Sequence, residues 1–175
     1  MPEITWFGWF HTIVAMIGIL FGVFSLTVHK VITAENRSGI IYLLCTFIAA
    51  ATALMIYRHG GFGPAHGLAV LTLLALAGGF LVTQIPVFSN IAHYLQAFCF
   101  SGTLLFHMLP AVTDGLLRLP VDKPILSTPE DPLLLKLYLL LLVIFIVGFS
   151  AQFLWLKANA VKQYPTAARA AVSSK

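Results

Sequence analysis

The sequence predicts an all-α integral membrane protein, a four-helix transmembrane core plus a fifth, peripheral transmembrane helix. Three observations lead there. Of 175 residues, 59% are hydrophobic and only 9% charged, where soluble domains carry roughly a quarter charged residues. The mean hydropathy is +0.95, more apolar surface than one soluble core could hide. Apolar runs of about 20 residues, the length that crosses a bilayer as a helix, recur down the chain with short links between them. A single bundle over residues 1–157 therefore accounts for the chain, followed by a short basic tail at 158–175. The formal charge of +4 sits in links and tail, where it serves orientation and anionic lipid better than nucleic acid, which is not expected as a partner.

The first span reads from Trp6 to Val28. The preceding residues lack the positive n-region of a cleavable signal, so this span is expected to stay in the protein. A polar link, His29 to Ser38, carries Lys30, Glu35, Asn36 and Arg37, and the second span covers about 39–57. The turn Arg58-His59-Gly60-Gly61-Phe62-Gly63-Pro64 resists helix continuation. The third span covers about 65–85 and Pro86 closes it. Ser89 or Asn90 is positioned to cap the fourth, about 91–117. A loop with Pro120, Pro124, Pro129 and Pro132 should be stiff and extended. Asp131 and Pro132 form an N-cap and first-turn pair for the fifth span, 133–156. Cys45 and Cys99 fall inside spans, where reduced thiols pack as small hydrophobes.

Lys and Arg set the orientation. With the N-terminus outside, the inner side holds Lys30, Arg37, Lys157, Lys162, Arg169 and Lys175, and the outer side Arg58, Arg118, Lys123 and Lys136. That bias predicts N-terminus out and C-terminus cytoplasmic. Trp6 and Trp9 then fall in the outer aromatic belt and Trp155 in the inner one.

The informative residues are the six histidines, because ionisable groups inside spans are costly and are kept for a use. On the first span His11, Gly18, Gly22, Ser25 and His29 lie within about 40° of one line. Gly18 and Gly22 form a close-packing pair that admits a backbone or a flat ligand. On the fourth, His93, Gln96, Phe100, His107 and Asp114 share a face roughly 60° wide. The third opens with His66. The second offers Tyr42, Thr46, Ala49 and Ala53 on one close-packing face, and the fifth is an almost unbroken Leu/Ile/Val/Phe run that reads as lipid-facing. His11 and His29 stand about 27 Å apart along their helix, and His93 and His107 about 21 Å. Histidines at two levels on facing helices suit non-covalent haem b, its iron taking one imidazole from each of two helices. His29, His59, His66 and His93 also fit a plainer role, facing water or headgroups at the interfaces, and the glycines fit simple packing.

The helix opening at His11, the His29-Lys30 boundary, Ser38-Gly39-Ile40-Ile41-Tyr42 and the Gly60-Gly61-Phe62-Gly63 turn resemble a family of bacterial multi-span membrane proteins of unknown function, over roughly residues 8 to 85. Weaker similarity links the chain to transmembrane di-haem cytochromes b of the ascorbate/ferric reductase type. There, the resemblance implies, His11 and His66 of Ala65-His66-Gly67-Leu68 are axial ligands on one face. That family also has a His in the intervening helix. The span at 39–57 has none, so the resemblance carries one haem at most.

Two functions from different classes follow as expectations. One is electron transfer by a bis-histidine haem between helices one and three or four. Its ligands would be His11 and His66 with His107 as alternative, Gly18 and Gly22 would give clearance, and a second site would draw on His29 and His93; a quinone or redox protein would be the partner. The other is a non-catalytic accessory or assembly subunit of a larger membrane complex. A small transporter or proton relay using His107, Asp114 and Gln96 is a third. Nucleophile-elbow, P-loop and dinucleotide-binding signatures are missing.

Overall fold

In a computed structural model, residues 5–56, 61–120 and 122–173 are described, with side chains to residue 159. Five α-helices follow in order: α1 Trp6–Val28, α2 Arg37–Ala53, α3 Pro64–Leu81, α4 Ala92–Arg118 and α5 Pro132–Ser173. The protein is an all-α membrane protein, with no strand among the described residues. Four of the helices are long and apolar enough to cross a bilayer, and α2, at 17 residues, is the shorter apolar one.

Local chemistry sets the ends of these helices. The Thr5 hydroxyl accepts from the Gly8 N–H and caps α1, which closes on His29. Asn36 caps α2, its Oδ1 accepting from Gly39 N–H at 2.7 Å and from the Ser38 hydroxyl at 2.8 Å. The helix therefore opens two residues before the position read from sequence. At its far end the helix stops at Ala53 with Leu54 as C-cap, short of the expected 57, and Tyr57, like Arg58, His59 and Gly60 of the turn, lies outside the described residues. Pro64 at N1 starts α3, where a missing N–H costs nothing. The third span does not run straight to Pro86: α3 stops at Leu81, and two 3₁₀ turns, Val82–Gln84 and Pro86–Phe88, lead into α4. Neither Ser89 nor Asn90 caps α4, whose N-cap is Ile91 with no side-chain bond.

The four-proline loop is not extended. It folds back over the end of α4, with Leu126 N–H donating to Leu116 O and Ile125 N–H to Leu119 O, and it buries Leu126. Burial of Leu126 and these two backbone bonds accompany the turn back. Asp131 behaves as expected, accepting from Leu133 N–H at 2.8 Å where α5 begins. The α5 helix then continues past Leu156 through most of the basic tail.

Packing sorts the helices as expected, with α1 to α4 in the core and α5 mainly against α4. Helix α1 packs on α2 and α4, and α3 likewise on α2 and α4. The core centres on Tyr42 and Phe100, both with no exposed surface, with Ile32, Leu43 and Leu76 around them. Small residues permit this closeness. A Cβ on Gly79 would collide with the Phe100 ring, so the glycine is what lets α3 meet α4 there.

Candidate functional site

Several polar side chains of α1, α2 and α4 collect on one seam. Helices α1 and α2 run antiparallel, and at each level α1 offers a His, Gly or Ser to a polar group on α2. At one end His11 Nδ1 lies 2.9 Å from Thr52 Oγ1. The Thr52 hydroxyl donates to Ile48 O, so His11 is the donor and its Nδ1 carries the proton. At the other end Ser25 Oγ and Ser38 Oγ are 2.8 Å apart and both residues are buried. Because Ser38 donates onward to Asn36, Ser25 donates to Ser38.

Between these pairs lies His107 of α4. It is only 9% exposed, and its buried Nδ1 has no hydrogen-bond partner among the described residues. Its Cε1 packs 3.7 Å from where Gly18 would carry a Cβ, and its ring meets the Tyr42 ring edge-on at 6.4 Å between centroids. His11 is close enough to His107 for charge on one to act on the other. The Thr46 hydroxyl is buried beside them with no partner in ordinary hydrogen-bond geometry, although the Tyr42 hydroxyl is within its reach. Tyr42 and Thr103 Oγ1 are 2.6 Å apart, and Thr103 donates to Phe100 O, so Tyr42 is the donor of that pair. Stepping along α2, Thr52, Thr46, Tyr42 and Ser38 are six, four and four residues apart, about 9, 6 and 6 Å.

The other predicted site residues fall elsewhere. His66 is buried at the start of α3, where its Nδ1 accepts from Gly63 N–H at 3.1 Å and closes the helix end, its ring tilted on Phe62. His29 is the exposed C-cap of α1, edge-on to Phe24. His93 is exposed and stacks on Tyr94. Gln96 ties α4 to α3 by donating to Gly79 O, and Asp114 pairs with Arg118 at 3.4 Å, so neither joins His107. Of the seven histidines and glycines nominated from sequence, the seam gathers His11, Gly18, Gly22 and His107. The sequence reading treated Tyr42 and Thr46 as packing and passed over Thr52, Thr103 and Ser38. The hydroxyls of Ser38, Tyr42, Thr46 and Thr52 at helical spacing on α2 were the available signal, and Thr103 lies on α4.

These contacts bear on haem. A Cβ on Gly22 would lie 2.7 Å from the Tyr42 ring and 3.2 Å from Leu104, and one on Gly18 would lie 3.2 Å from Cys45 Cβ. The clearance beside both glycines is filled by side chains of α2 and α4, which does not fit a porphyrin on this face. His66 and His11 sit on helices that each pack on α2 and α4. Among the described residues no three His, Cys, Asp or Glu side chains group as a metal site. The chain matches no family model, no curated protein and no solved structure.

Proposed function

We propose that the chain is a membrane-embedded proton relay, passing protons along the α1–α2–α4 seam between the two faces of the bilayer. The observation that carries the reading is His107, a buried imidazole with an unbonded nitrogen, set between a hydroxyl-imidazole pair on one side and a hydroxyl pair on the other. A neutral imidazole accepts a proton at one nitrogen and releases one from the other, which suits it to relay. Ionisable groups kept inside a span mark such pathways. The order would be His11 and Thr52, then Thr46 and His107, then Tyr42 and Thr103, then Ser25, Ser38 and Asn36. The hydrogen-bonded pairs are separated by gaps, and the relay requires ordered water to bridge them, with bonds nearly as good as direct ones. With the N-terminus outside, as the Lys and Arg distribution favours, His11 is the outer entrance and Asn36 the cytoplasmic exit.

The test is proton flux into proteoliposomes holding a pH dye, driven by a potassium diffusion potential with valinomycin. Wild type should acidify the lumen well above protein-free vesicles, and His107→Phe, which keeps the ring volume, should fall to that background. Tyr42→Phe should retain the fold and lose most of the flux. Wild-type flux at background, or full flux in His107→Phe, defeats the relay. An oxidised-minus-reduced visible spectrum of the same protein separates the electron-transfer alternative. A haem b α-band that His11→Ala and His107→Ala each abolish would make this pair axial ligands instead.

A further inference from the structure

A groove of about 480 Å³ lies where the end of α1 meets α4 and α5, away from the polar seam. The size is that of a small-ligand site, ~300–1,000 Å³. Its walls are apolar from Leu141 to Phe149, and its mouth is formed by Lys30, Thr27 and Trp155. Leu141 and Trp155 are 14 residues apart on α5, roughly 21 Å, longer than the ~15 Å depth of one leaflet. We propose that this groove binds an anionic phospholipid, with one acyl chain along α4 and α5 and the phosphate on the Lys30 ammonium.

Two further observations commit the groove to that occupant. The first is charge. Among the residues whose side chains are described, the Lys30 end of the bundle carries Lys30, Arg37 and Lys157 against Glu35, a balance of +2. The opposite end carries Arg118, Lys123 and Lys136 against Asp114, Asp122, Glu130 and Asp131, a balance of −1. An anionic headgroup is favoured at one end only. The second is that the mouth is built. Ser101 donates to Gln152 Oε1 at 2.9 Å and Gln152 donates to Lys30 O at 2.8 Å, so α4 and α5 hold the Lys30 backbone in place. Lys30 itself has φ 65° and donates to Thr27 O, which leaves two of its three N–H groups for a phosphate. Trp155 at the same mouth stands where indoles meet headgroups.

The groove also supplies its own plug. A Cβ on Gly148 meets nothing within 4 Å, so a larger side chain there enters the groove and not the helix packing. The experiment is native mass spectrometry of the full chain in detergent, titrated with dioleoyl-phosphatidylglycerol or dioleoyl-phosphatidylcholine. Wild type should bind phosphatidylglycerol about fivefold more tightly, what one basic side chain at the surface contributes. Lys30→Asn, a residue that tolerates positive φ, should erase that preference. Gly148→Leu and Ala151→Leu, each checked for helix content and monodispersity, should lose both lipids, and Gly148→Ala should bind as wild type. Equal binding of the two lipids by wild type, or wild-type phosphatidylglycerol binding by either folded plug variant, overturns the proposal. So does competition by soluble glycerol phosphate at the lipid's own affinity, which would mean charge without a chain. None of these outcomes depends on proton flux.

Discussion

Single atoms decide how close the helices come. Gly22 faces the Tyr42 ring, which is fully buried and held by Thr103, so the ring has nowhere to retreat. Gly22→Ala should therefore destabilise by about 1–3 kcal/mol through overpacking, even though alanine favours helix. Gly148→Ala, where the same methyl meets open space, should be neutral or slightly stabilising. Thermal unfolding of both variants in one detergent checks the pair, and equal Tm values would contradict this account of the seam. Tyr42→Phe should cost little, about 0.6–1.7 kcal/mol, because hydrogen bonds between membrane helices have modest net worth and Thr103 keeps its bond to Phe100 O. A small loss of stability with a large loss of flux is the signature that separates a conducting hydroxyl from a merely structural one.

At the scale of the element, α2 organises the site. It contributes Thr52, Thr46, Tyr42 and Ser38 to the seam, and Asn36 fixes its start. A Cβ on Gly39 would collide with Thr33 O, so the link is folded tightly under this helix. Asn36→Ala should cost about 1 kcal/mol, and hydrogen exchange should show protection lost first in the opening turn of α2. Loss spread evenly along the helix would mean that Asn36 does not set its entry. The elements themselves were largely legible in the sequence, since apolar length and Asp131-Pro132 need no tertiary information. The Ser89 or Asn90 cap was not, because Phe88 and Ile91 are linked by a backbone turn that takes over the start of α4. The site was half legible. His11, Gly18 and His107 announce themselves by type and spacing, but His66 does too, and its role at the helix end depends on a Gly63 N–H that no periodicity reveals. Which α2 hydroxyls faced α1 depended on helix neighbours, information that one-dimensional spacing lacks.

For the whole molecule, a crossing by α2 together with the four longer helices would place the termini on opposite sides of the membrane. A C-terminal fluorescent-protein fusion should glow in the bacterial cytoplasm, and an N-terminal alkaline phosphatase fusion should be active outside it. The reverse pattern would invert the direction assigned to the relay while leaving the bundle unchanged. The helices are also unequal. At 17 residues, α2 measures about 25 Å, short of a hydrocarbon core of ~30 Å. It lies among helices of 18 to 27 residues that pack on it, so it cannot simply stand apart from a thicker membrane. The bilayer must thin beside it, at a cost of fractions of a kcal/mol per ångström of hydrophobic mismatch. Acyl-chain length thus becomes a variable for this protein: it should be more stable in vesicles of shorter-chain lipids, and in a mixed membrane it should gather them around α2.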